Sequence, residues 1–349
     1  MQLLTTIDSA PTFGDMDPQS TRHPPSSRST PAPSTRPSLH LDVAARTDIG
    51  LTRGDNQDSF LVIHPTELAR SPRWAALAVC DGMGGAAGGG VASRTTVDVL
   101  REVMLSDTMP GTRDALGRRL LYGVEEASRQ VYAASQADRS LKGMGTTATA
   151  CALTGDALYV AQVGDSRAYL FRSGRLTRLT RDQTLSALML ERGQLAPEEV
   201  STFPLSHVIL QAVGTTERVE VDLTRVRVAS GDVLLLCSDG LHGLVPDETL
   251  RAVLGRELSP TATCEALIAL ALEAGGSDNV TCIVARVSGV ALGPPSGPPS
   301  LEKARLDEDA TEPGKRDEPL PIGRGDARKA TLVSRHGTLV RTPTRRRAS

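Results

Sequence analysis

Apolar positions along this chain fall into short runs separated by small and polar residues, with longer stretches at helical spacing between them. The run 74–80, WAALAVC, is apolar throughout and breaks at an aspartate into DGMGGAAGGG, the pattern of a fully buried strand. LDVAARTD at 41–48 and FLVIH at 60–64 read as two more strands, joined by the charged turn IGLTRGDNQDS. Helical patterns follow at about 91–105 and 113–137, and then the β segments TTATACALT, ALYVAQVG, RAYLFRSG and RLTRLT. The polar stretch 181–207 interrupts the β pattern before VILQAVG, and its length and helical pieces predict an excursion from the core, a mobile flap. Two β segments at 219–228 and 232–238, helices at 247–254 and 260–274, and a strand at 281–287 complete the pattern. Strand-rich blocks with paired helices clustered between them predict an α+β architecture, sheets with helices outside.

The ends of the chain lack such a pattern. Residues 1–40 hold RHPPSSRSTPAPSTRPS, a Pro/Ser/Thr composition that reads as a disordered tail, and 289–349 hold GPPSGPPS and long polar runs that read the same way. The globular part is then 41–288, long enough for one large core. Of the net charge of −2, the first forty residues contribute nothing and 290–349 contribute +4, so the core carries −6. An acidic core argues against nucleic acid as ligand. LVSRHGTLVRTPTRRRAS at the end has basic and no acidic side chains; it could meet an acidic partner or simply be solvated. Cys80, Cys151, Cys237, Cys264 and Cys282 are odd in number, form no C-x-x-C, and lie mostly in apolar segments, which predicts free buried thiols in a reducing compartment. No apolar run is long enough to cross a membrane and no signal-peptide pattern opens the chain, so a soluble, cytoplasmic protein without membrane insertion is expected.

The chemistry lies in a recurring device. Asp81 follows the run 74–80, Asp165 follows ALYVAQVG, Asp239 follows VLLLCS, and Asp278 precedes TCIVARV. Asp-Gly is a common hairpin dipeptide, so unrelated turns would give some of these. If the sheets bring the strand ends together, the carboxylates repel unless cations neutralise them. Oxygen ligands without a Cys or His framework suit hard ions such as Mg²⁺ or Mn²⁺. In the charged turn, Arg53 offers a bidentate fork for phosphate and Asp58 a further carboxylate. Gly82, Gly84 and Ala87 also fit G-x-G-x-x-G/A, with Glu102 beyond. That dinucleotide reading is set aside, because Asp81 would oppose a pyrophosphate and Glu102 lies within a helical pattern.

RTDIGLTRGDNQDS, CDGMGG, GMGTTAT, VGDSRAYLFRSGRLTRLTRDQT, LLLCSDGL and GGSDNVT occur in order along 41–288. Together they resemble the PPM/PP2C-type metal-dependent protein serine/threonine phosphatases, most closely the bacterial branch. The resemblance implies two packed antiparallel β-sheets flanked by helix pairs, with a binuclear Mg²⁺/Mn²⁺ centre at one edge. It implies that Asp81 bridges the two core ions, that the Gly82 carbonyl serves one of them, and that Asp239 and Asp278 hold the other. Arg53 matches the phosphate-binding arginine and Asp58 the acid behind the metals. Asp165 matches a ligand of the third ion of bacterial members. The implied reaction is hydrolysis of phosphoserine and phosphothreonine by a metal-activated water, and the implied partners are phosphorylated proteins, serine/threonine kinases and their substrates, met by a monomer.

Three positions depart from the eukaryotic pattern. Gln57 replaces a glutamate and Met83 a histidine, as in the bacterial branch, which leaves the general acid undecided. His207 stands where bacterial relatives carry Ser or Asn; an imidazole there can ligate, favour Mn²⁺, or face solvent, and no essential role is expected. His242 reads as a packing or surface residue. The alternatives to an active enzyme are a catalytically dead phosphatase fold serving as a binding module, and a structural metal-binding protein. Intact Asp81, Asp239 and Asp278 argue against the first, and Arg53 against the second.

Overall fold

The run 74–80 is apolar on both sides because it lies in the middle of a sandwich, covered by a second sheet on one face and by helices on the other. It forms β3 (Trp74–Cys80), and its side chains alternate between two cores. Leu77 and Val79 point into the layer between the sheets with Leu234, Leu236 and Ile283. Ala76, Ala78 and Cys80 point to the opposite face, beneath Leu100, Leu120 and Val124. The structure is a computed structural model and describes residues 39–67, 74–84, 88–106, 113–289, 292–293 and 297–304.

The first sheet orders β1 (His40–Asp48), β12 (Val280–Ser288), β11 (Val233–Cys237), β8 (Arg167–Arg172) and β9 (Arg175–Arg178). The second orders β13 (Leu301–Lys303), β10 (Asp222–Arg227), β7 (Ala157–Val163), β6 (Ala148–Thr154), β3 and β2 (Ser59–Ile63). A small ribbon pairs β4 (Gly82–Met83) with β5 (Gly145–Thr146). All these pairings are antiparallel. That excludes the parallel β-α-β unit a dinucleotide fingerprint requires.

Helices α1 (Gly88–Leu105) and α2 (Arg113–Ala137) cover the second sheet, whose Ala76, Ala150, Ala152 and Ala161 let them approach closely. On the first sheet lie α4 (Asp239–His242), α5 (Asp247–Leu254) and α6 (Pro260–Glu273), packed over Val233, Leu235, Cys237, Cys282 and Val284. Each fully buried Leu or Val in these layers contributes about 1.5–3 kcal/mol relative to an exposed one. Local signals start the helices where they start. The Ser259 side chain accepts from Ala262 N ahead of Pro260, and Asp247 and Glu248 occupy the first turn of α5. The five cysteines are free and buried.

Between β9 and β10, the stretch expected to leave the core carries α3 (Leu185–Glu191), capped by Thr184, and a 3₁₀ turn at Pro197–Thr202. VILQAVG, which follows that stretch, makes only isolated bridges, from Ile209 to Thr184 and from Val213 to Thr146 and Thr216. Leu301–Lys303 departs from the structureless tail expected from residue 289: as β13 it pairs with the edge of β10, where open backbone groups accept a short strand. Residues 1–38, 290–291, 294–296 and 305–349 of the two expected tails lie outside the described residues. Among the described residues no helix is long and apolar enough to cross a membrane.

Candidate metal centre

Strand direction gathers the acidic ends. β3 and β7 both pair antiparallel with β6, so they run the same way and end at one rim, with Asp81 and Asp165 just beyond. β11 and β12 are antiparallel neighbours, so the end of one and the start of the other carry Asp239 and Asp278 to a common rim. Asp48 opposite Val280 and Ser59 opposite Cys80 bring the charged turn between β1 and β2 there too. Side chains join the two rims: Asp58 Oδ2 accepts from Ser238 Oγ at 2.8 Å, and Ser238 Oγ accepts from Thr281 N at 3.0 Å.

The carboxylates meet with few compensating donors. Asp81 and Asp239 stand close enough that each acts on the other's titration. Burial, followed by the charges of Asp58 and Asp239, holds Asp81 well above the usual carboxylate range. Burial also raises Asp239. It pushes Asp58 up to about 7, and Asp165 up to about 7 with help from the charges of Asp239 and Asp182. Asp58 Oδ1 and Asp239 Oδ1 are buried without any hydrogen-bond partner. A buried carboxylate oxygen without a donor is costly, and a hard divalent cation is what satisfies it. Among the described residues no three His, Cys, Asp or Glu side chains close on a single point. Among these carboxylates, Asp278 is paired with Arg53.

Arg53 Nη2 lies 2.7 Å from Asp278 Oδ2. The pair is open to solvent, the arginine side chain being 56% exposed. Asn279 staples the loop that carries it: its Nδ2 donates to Ile49 O and Asp55 O, and its Oδ1 accepts from Gln57 N. Gly50, at φ +77°, lets the loop fold against the backbone of Asp278, where any Cβ would collide with the carbonyl.

The backbone of Asp81 is clamped. Asp81 N donates to Thr147 Oγ1 at 2.9 Å, and Asp81 O accepts from Thr147 N at 2.9 Å and from Thr146 Oγ1 at 2.8 Å. Thr147 Oγ1 also meets Ser166 Oγ at 2.8 Å, beside Asp165. Gly82 follows in β4 against the Gly89 and Gln57 carbonyls, leaving no room for a Cβ. The glycine-rich break thus lets α1 start directly behind the site.

Arg53, Asp58, Asp81, Gly82, Asp165, Asp239 and Asp278 are all drawn to this rim. His207 sits exposed on the segment after α3, close enough for its charge to act on Asp239. His242, read as packing, instead bonds the backbone of Asp165. Asn279, Ser238 and Thr147 were missed by sequence reasoning. The signal that could have found them is their place as small polar residues within SDN, CSDG and GTT, beside the acidic positions.

The family model for protein phosphatase 2C matches residues 54–272. The chain is 41% identical over 253 residues to the serine/threonine protein phosphatase PstP of Mycobacterium tuberculosis, covering 72% of this chain and 46% of that protein. It thus spans about half the length of that curated relative. It is 33% identical over 239 residues to the serine/threonine phosphatase stp of Listeria welshimeri, covering 68% of this chain and 93% of that one. The solved catalytic domain of PstP in complex with 2 manganese ions aligns with TM-score 0.62 and 37% identity, covering 72% of this chain and 100% of that domain.

Proposed function

Because the chain belongs to the protein phosphatase 2C family, we propose that it hydrolyses phosphoserine and phosphothreonine on proteins. The observation that carries this is Arg53, an exposed guanidinium paired with Asp278 at the rim, beside buried carboxylate oxygens with no protein donor. Asp81 would lie between two ions, with the Gly82 carbonyl serving one and Asp239 and Asp278 the other; Asp165 would hold a third. Mg²⁺ or Mn²⁺ bound there supplies charge that activates water and offsets the phosphate oxygens.

The chain's own residues do the rest. Arg53 leaves Asp278 to take two phosphate oxygens in its planar fork, an exchange made easy because an exposed ion pair is worth little. Asp58 holds Ser238 and thereby the start of α4, which fixes the direction of Asp239. Thr146 and Thr147 keep Asp81 from turning away.

Substrates on this reading are phosphorylated proteins, among them serine/threonine kinases and their targets, met by a monomer in the cytoplasm. The intact aspartate set gives an inert binding module no support. Phosphate release from a phosphothreonine peptide by the full chain, with Mn²⁺ and then with chelator, tests the proposal. Release that depends on the metal is expected, and no release in saturating Mn²⁺ would overturn it.

A further inference from the structure

We propose that His242 is a positioning residue that braces the Asp165 loop against the helix begun by Asp239, and so sets where the Asp165 carboxylate stands. The inference rests on the metal reading of this rim. His242 closes the single turn of α4, three residues after Asp239, and its Nε2 lies 3.0 Å from the backbone oxygen of Asp165. One short helix therefore carries a carboxylate toward the site and a ring that grips the loop of another.

The ring's chemistry follows from its partner. A carbonyl has no proton to give, so Nε2 is the donor, and the neutral ring carries its hydrogen there. Burial, reinforced by the Arg167 guanidinium nearby, keeps the ring neutral. Arg167 is itself held by Asp182 through Nε and Nη2, and through Nη1 it reaches Tyr169, which donates to Asp247.

Both partners of the contact are fixed. α4 sits so close to β12 that a Cβ on Gly240 would collide with the Asn279 carbonyl, and Gly243 N returns to Asp239 O at 2.7 Å. On the loop side Gly164 takes φ +93°, its N donates to Gln183 Oε1, and its O accepts from Gln183 N. Gln183 thus holds Gly164, while His242 holds the next peptide, the one whose rotation swings the Asp165 carboxylate. Partners of this kind, one step behind a ligand, typically change metal affinity about 10- to 100-fold when removed.

The test is Mn²⁺ alone, titrated calorimetrically into the full chain, with kcat and KM on a phosphothreonine peptide recorded alongside. Asp165→Asn should remove a weak Mn²⁺ step. His242→Met, which fills the space without a donor, should weaken that same step about tenfold and leave the tighter steps unchanged. His242→Gln, whose amide can reach the carbonyl, should restore most of it, whereas the shorter His242→Asn should not. In the Asp165→Asn background His242→Met should do nothing more. The proposal fails if Met and Gln are equally impaired, if His242→Met leaves the isotherm unchanged, or if its effect persists without Asp165. Should the Met variant not fold, Gln against Asn decides by the same criterion. A wild-type chain that binds Mn²⁺ but releases no phosphate would reject the phosphatase reading and leave this comparison intact.

Discussion

Arg53 and Asp278, 225 residues apart, are joined by a 2.7 Å hydrogen-bonded ion pair at the mouth of the acidic rim. The arginine proposed to bind phosphate is therefore paired with an aspartate proposed to bind metal, and the two functions compete for one carboxylate. Arg53→Ala should raise KM for a phosphopeptide about tenfold while lowering kcat less, because a phosphate fork is lost. It should also tighten Mn²⁺ binding slightly, since Asp278 loses a competing cation. Unchanged KM in the variant would show that Arg53 does not meet the phosphate.

Asp81→Asn should separate stability from activity. Asp81 stands among the charges of Asp58, Asp239 and Asp165, so replacing its carboxylate relieves repulsion in the metal-free protein. The melting temperature in chelator should rise or hold, while turnover in saturating Mn²⁺ falls below about a tenth, a loss of more than about 1.4 kcal/mol of barrier stabilisation. A variant that keeps its rate would sink the bridging role of Asp81.

The chelated protein should weaken as pH rises. Asp58 and Asp165 each stand at about 7 when folded, against an ordinary value of 3.8. Raised carboxyls make the folded state bind more protons than the unfolded one. Their contribution is therefore complete below about pH 4 and is lost as pH climbs through about 7. Between pH 5 and pH 8 these groups should cost on the order of a few kcal/mol, which the urea midpoint in chelator would report. Adding Mn²⁺ at pH 8 should reverse the loss. A midpoint that rises with pH in chelator contradicts the burial of these carboxyls.

Far from the site, Asp232 is fully buried and receives Arg172 Nε at 2.8 Å, Arg172 Nη2 at 2.6 Å and Ala229 N at 2.7 Å. Asp232→Ala should cost about 3–5 kcal/mol, because it strands a buried guanidinium. Denaturant unfolding would measure that cost, and Mn²⁺ affinity of the folded fraction should not change. A loss below about 1 kcal/mol would mean that water reaches Arg172.

Local pattern determined a great deal of this protein. A strand apolar on both faces at 74–80, long amphipathic helices, and aspartates at strand ends all follow from side-chain periodicity and turn chemistry, which act over a few residues. The ordered motifs then pointed to the fold. What local pattern could not fix was which distant group each side chain meets. Nothing in RGDNQDS says that Asp58 reaches Ser238, or that Arg53 reaches Asp278 and not a phosphate alone. VILQAVG has the composition of a strand, yet it makes only isolated bridges, at Ile209 and Val213. Leu301–Lys303 sits in a proline-rich tail and gained a strand because β10 offered an open edge. His242 looked like packing until α4 and the Asp165 loop were placed side by side. Periodicity decides which face a residue shows; the tertiary structure decides what stands opposite that face.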